Sequence, residues 1–218
     1  MHSPTIKHTT GFFLSLIAAM LWGMLPVALK ELLAGMDAIT IVWYRFFAAG
    51  IVLFAWLTIQ RKIPQILRQA AQIKWFLLFA AVGLCINYFL FSYSLNFVNG
   101  ETSEAVIQLT TLFLILGGVF LYKEPFLAVQ KVGTGLIICG LLLFFNDRLS
   151  GFLSLENRET IGVVIVVFAA ITWAVYALLQ KQLLNSFSSV QILFLIYVFS
   201  SVALLPLISP LSLFQLSE

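Results

Sequence analysis

The sequence predicts an all-α polytopic membrane protein of about seven transmembrane helices. Three observations carry that reading. Hydrophobic residues make up 61% of the chain and charged residues 10%, with a mean hydropathy of +1.05, whereas a soluble domain carries about 25% charged residues. The apolar residues gather in blocks of about 20, the length that crosses a bilayer as a helix. Alternating segments of about ten residues, the mark of a closed β-barrel, are missing. Weak periodicity inside each block fits helices that meet lipid on one side and other helices elsewhere.

The first block, 11–29, follows a short tail, 1–10. A cleavable signal peptide is the competing reading, because Lys7 precedes an apolar run. The block's length, its internal proline and the lack of a small-residue cleavage site favour a permanent helix. Pro26 cannot donate a backbone hydrogen bond, which frees the Trp22 carbonyl and predicts a bend, either as a plain packing kink or as the lining of a substrate path. Gly23 would let a neighbouring helix approach closely. Trp22 lies inside the block rather than at an end, so it reads as a cavity wall more than an interface anchor.

The second block, 38–58, holds Arg45, with Tyr44 beside it, about 10 Å into the span at 1.5 Å per residue. A central arginine is priced at about 2.5–3.5 kcal/mol, so it is expected to face protein or water and to have a partner; snorkelling to the headgroups is the alternative. The third block, 75–94, offers Asn87 and Tyr88 as hydrogen-bonding or stacking groups. The fourth, 103–122, places Glu104, Gln108 and Thr111 on one helical stripe by their i, i+4, i+7 spacing. Glu104 is the carboxylate expected to pair with Arg45, or to hold a zwitterionic or polar substrate together with it. The same stripe would equally serve as glue between helices.

Glu124, in the turn that follows, reads as a structural residue that caps or meets Lys123 or Lys131. The fifth block, 128–145, carries Gly133 and Gly135, which like Gly117 and Gly118 read as packing residues. Cys85 and Cys139 fall in apolar blocks at no metal-type spacing and read as small core residues. The sixth block, 161–179, contains Trp173 and Tyr176, and the seventh, 189–208, has no charged residue.

The blocks contain a repeat. "AAMLWGMLPVALKELL" at 18–33 returns as "AAITWAVYALLQKQLL" at 169–184, aligning Ala18/Ala169, Ala19/Ala170, Trp22/Trp173 and Lys30/Lys181, with Gly11/Gly162 in register. Five blocks precede the second copy, so the two copies enter the membrane from opposite sides. Inverted repeats of this kind are a recurring plan of secondary transporters, with the substrate site near the midplane where the halves meet. The domain reading is a tail at 1–10, a first five-helix unit at 11–146, an extracytoplasmic connection at 147–160 and an incomplete second unit at 161–218. Three helices of a full second unit are unaccounted for, which predicts a fragment or a shortened gene product.

Charge placement sets the expected orientation. Lys7, Arg61, Lys62, Arg68, Lys74, Lys123, Lys131 and Lys181 fall on one side, against Lys30, Arg148 and Arg158 on the other. The richer side is cytoplasmic by the positive-inside rule, with the N-terminus on it. The basicity is thus a topology signal and not a nucleic-acid footprint. Catalysis is not expected: the histidines, His2 and His8, lie in the tail, and no HExxH or GxSxG pattern occurs. No cofactor or metal site is expected. A retinal-type receptor would need a Schiff-base lysine in the seventh block, which has none.

Several stretches together resemble the drug/metabolite transporter superfamily, EamA type. They are the first block with Trp22, Gly23, Pro26 and Lys30, then "WYRFFAAG" with Arg45, then "SLNFVNGETSEAVIQLTTLFLILGGVFLYKEP" followed by "KVGTGLIICGLLLFF". The opening of the second unit is similar to the family's sixth helix. The resemblance implies a ten-helix inner-membrane carrier of two inverted five-helix units that moves a small metabolite, amino acid or drug, often outward. Thr111 stands where many relatives have a proline, so no kink is expected from that position. The expected partners are the lipid bilayer, a small-molecule substrate, and either a second copy or another chain supplying the remaining helices. A truncated subunit that works only beside another chain is the alternative function.

Overall fold

The computed structural model describes residues 4–70, 73–146 and 158–209. Within them the chain is helical, and no strand is present among the described residues. The helices are α1 (Pro4–Leu33), α2 (Ala38–Ile59), α3 (Ile63–Ala70), α4 (Lys74–Ser94), α5 (Gly100–Ile107), α6 (Leu109–Tyr122), α7 (Ala128–Phe145), α8 (Arg158–Leu183) and α9 (Ser189–Leu204), followed by a short 3₁₀ turn, Leu205–Leu207. Seven helical spans among the described residues are long and apolar enough to cross a membrane, with α5 and α6 sharing one of them. Each coincides with one apolar block of the sequence.

Four features differ from the sequence reading. The helix α1 begins at Pro4, so the described part of the segment read as a tail is helical. The connection at 59–74 contains a helix of its own, α3, because "IPQILRQA" puts Ile63 and Ile66 on one face and its polar residues on the other. The fourth span is broken at Gln108. The linker at 147–157 lies outside the described residues, and α8 already includes residues 158–160.

Helix ends follow local chemistry. Asp37 caps α2 by accepting from the Thr40 backbone N–H at 2.9 Å and from the Thr40 hydroxyl at 2.7 Å. Asn99 caps α5 through the Thr102 N–H at 2.8 Å. Ser188 and Gln191 form a reciprocal capping box at the start of α9. Lys123 ends α6 in the left-handed region, φ 54°.

The second unit is not a separate body. Its helix α8 packs along α4, α5 and α6, while α9 packs along α2 and α4. The main core lies at that junction, with Val42, Phe46, Leu84, Ile192, Phe194 and Ile196 among its buried members. Gly83 on α4 lets α8 come close: a Cβ there would lie 3.4 Å from the Thr172 carbonyl oxygen and 3.6 Å from the Tyr176 Cβ. Trp43 fastens α2 to α9 by donating its indole N–H to the Ser201 carbonyl at 2.8 Å.

The helix α7 contributes no buried residue. Cys139 is therefore exposed on its outer surface and is not a core residue, whereas Cys85 is partly buried on α4. Gly23, Gly133 and Gly135 likewise face open space, with nothing within 4 Å of an added Cβ. The packing role expected of them is not found within the described chain; the close approaches occur instead at Gly83, Gly100, Gly117, Gly118 and Gly162.

Candidate functional site

A cavity of about 300 Å³ opens between helices of both units. Trp22 and Leu25 line it from α1, Arg45 from α2, and Asn87, Tyr88 and Phe91 from α4. Ile107 ends α5 at its wall, Gln108 sits at the break, and Thr110, Thr111 and Leu114 follow from α6. Trp173 completes it from α8. The two repeat-related tryptophans, 151 positions apart in sequence, thus wall one space.

Arg45 is held by aromatic rings and not by a carboxylate. Its guanidinium carbon lies 4.3 Å from the centre of the Tyr88 ring, a cation–π distance. Phe46 backs this arrangement, with its ring 5.0 Å from Tyr88 and 5.2 Å from Tyr197. Arg45 Nη1 is buried and finds no hydrogen-bond acceptor among the described residues. Glu104 is not its partner. The Glu104 carboxylate lies beside the Trp22 side chain, its Oε1 is buried without a partner among the described residues, and Glu104 does not line the cavity. The expected ion pair is replaced because α5 turns Glu104 toward α1, while α2 lays Arg45 against α4.

The break at Gln108 shapes the same wall. Gln108 N–H bonds the Ala105 carbonyl at 3.3 Å, and Thr111 N–H bonds the Gln108 carbonyl at 3.0 Å, so both reach three residues back instead of four. The Gln108 side chain folds onto the Glu104 carbonyl at 3.3 Å. Irregular backbone at membrane depth is tolerated where it borders a cavity, which is its position here. Neither glycine nor proline marks this break in the sequence.

The other expected residues surround the cavity without lining it. Pro26 is buried against the first residue of α5, where a Cβ on Gly100 would lie 3.0 Å from the proline Cβ. Tyr176 is buried behind Trp173, with ring centres 6.4 Å apart. Tyr44 packs edge-on against Trp43 at 5.0 Å. Leu25, Phe91, Ile107, Thr110 and Leu114 line the space unforeseen; four are apolar residues no different in sequence from lipid-facing ones.

Outside the cavity, Glu124 pairs with Lys181 and not with Lys123 or Lys131. The same ammonium lies 5.2 Å from the Tyr122 ring centre, and the Tyr122 hydroxyl donates to the Leu178 carbonyl at 2.8 Å. These contacts put the turn after α6 and the end of α8 on one side of the bundle.

Comparison with known proteins identifies the family. The profile of the EamA-like transporter family matches residues 9–146. An "Uncharacterized transporter" of Haemophilus influenzae is 40% identical over 90% of this chain and 64% of its own length. The "Uncharacterized inner membrane transporter YhbE" of Escherichia coli K12 is 38% identical over 95% of this chain and 65% of its own. A "Probable amino-acid metabolite efflux pump" of the same organism is 24% identical over 79% of this chain and 54% of its own. The chain thus spans just under two thirds of the length of the first two relatives. No solved structure matches it. With its seven membrane-length helices and this matched segment, the chain belongs to the EamA-like transporter family.

Proposed function

We propose that the protein is a secondary-type carrier that moves a small metabolite, amino acid or drug outward across the inner membrane. Two inverted repeats give alternating access to one site, and the N-terminus lies in the cytoplasm. The observation that carries the reading is the shared cavity, in which Trp22 of the first copy and Trp173 of the second face one space together with Arg45. Motion of one unit against the other changes which side that space opens to. Arg45 supplies a fixed positive charge for a carboxylate or similar group, and the tryptophans supply apolar walls for the rest of the molecule. The inner-membrane assignment draws on the printed name of the YhbE relatives, and the orientation draws on the excess of lysine and arginine on one side.

The test is transport by the purified chain in liposomes, with a panel of labelled amino acids and small carboxylates trapped inside. Release that depends on the protein and falls in Trp22→Ala and Trp173→Ala supports the carrier reading. Folded protein that moves none of the panel, in either direction, counts against it.

A second reading, a membrane subunit that works only beside another copy or another chain, has one observation in its favour. Gly162, Ala169 and Ala170 of α8 are buried, whereas their repeat equivalents Gly11, Ala18 and Ala19 on α1 are exposed. A helix docked on α1 as α4 docks on α8 would restore the equivalence. Transport by the chain alone excludes this reading; co-purification of a second membrane chain, with transport only when both are present, supports it.

A further inference from the structure

A second hollow lies apart from the cavity. It is a groove of about 450 Å³ between α3, α4 and α9, walled by Leu67, Leu78, Leu195, Ile196 and Phe199, with Lys74 and Trp75 at one end. The short helix α3 lies over that end with Ile66 fully buried beneath it and Leu67 exposed. The Lys74 ammonium sits 5.7 Å from the Trp75 ring centre, and that ring is 62% exposed.

Charge around the groove has one sign. Arg61, Lys62, Arg68 and Lys74 cluster in the 59–74 segment, and no aspartate or glutamate occurs between Asp37 and Glu101. The third wall, α9, has no charged residue at all. Arg68 and Lys74 are exposed and take part in no ion pair among the described residues. An apolar trough with Lys74 and a tryptophan at one end, and Arg68 next to Leu67 in the adjoining helix, matches a lipid acyl chain below and a negative headgroup above. A zwitterionic headgroup would leave the excess positive charge uncompensated.

We propose that this groove binds an anionic phospholipid, with its acyl chain along Leu78 and Phe199 and its phosphate at Lys74 and Arg68. The site is independent of the transport cavity and of its function. Each basic residue near an anionic lipid surface contributes roughly a fivefold factor in binding.

The test uses the full chain in detergent micelles doped with phosphatidylglycerol or phosphatidylcholine carrying brominated acyl chains. The readout is the tryptophan quenching that disappears in Trp75→Phe. Phosphatidylglycerol is expected to quench at a several-fold lower mole fraction than phosphatidylcholine. Lys74→Gln with Arg68→Gln should remove that preference while leaving the melting temperature unchanged, and Lys74→Arg with Arg68→Lys should retain it. Equal quenching by both lipids overturns the proposal, as does a preference that survives the double glutamine substitution. Displacement of the brominated lipid by inorganic phosphate alone also overturns it, since the site would then recognise free phosphate.

Discussion

Asn87 on α4 donates its side-chain amide to the Ala169 carbonyl on α8 at 2.8 Å, a buried hydrogen bond that ties the first unit to the second beside the cavity. Thr172 donates its hydroxyl to the same carbonyl at 2.9 Å. Ala169 belongs to the repeated segment, so the joint between the units is made on the repeat itself. Asn87→Ala should lower stability by about 0.6–2 kcal/mol, the range for hydrogen bonds between membrane helices. Thermal unfolding in detergent measures this, and an unchanged melting point would show that the bond contributes nothing.

Arg45 has an aromatic partner, and a different outcome of mutagenesis follows than for an ion pair. Arg45→Gln should keep the fold, because the Tyr88, Phe46 and Tyr197 rings still pack together, yet reduce transport at least tenfold. Combining Arg45→Glu with Glu104→Arg should rescue nothing, since the two side chains do not meet. Recovery of transport in the double swap would show that they do meet in the working cycle.

Glycines divide sharply by surroundings. A Cβ on Gly162 would lie 2.8 Å from the Phe97 Cβ and 3.3 Å from the Val98 Cβ, contacts that a methyl cannot relieve by a rotamer change. Gly162→Ala should destabilise by about 1–3 kcal/mol, as overpacking does. Gly133→Ala and Gly135→Ala, which meet open space, should leave the melting temperature unchanged or raise it. Parallel melting curves of the three variants decide the point.

The Glu124–Lys181 pair is about half exposed on both sides. Glu124→Gln should therefore change stability by no more than about 1 kcal/mol, and the difference should shrink further in high salt. A larger loss would mean that the pair holds α6 against α8 more firmly than its exposure implies.

Much of this architecture is legible in the sequence, but the legible part is one-dimensional. The spans follow from the length of apolar runs against the thickness of the bilayer, and the seven blocks therefore return as seven helical spans. Pairing Trp22 with Trp173 by register already placed the two residues in equivalent positions. Arg45 was recognisable as a residue needing company, since burying an arginine in hydrocarbon is costly.

Only the tertiary structure decided what that company is. A helix that is apolar on every side carries no periodic signal of which face turns inward, and side-chain contacts depend on that rotation. Rotation placed Tyr88 under Arg45, sent Glu104 to Trp22, and left Gly133 and Gly135 facing outward. It also gathered four apolar residues into the cavity wall. The break at Gln108 falls at neither a proline nor a glycine, so no residue type announced it. The sequence by itself determined how many times the chain crosses and where; the packed bundle determined which residues look at one another, because hydrophobic length measures depth in the membrane and says nothing of direction.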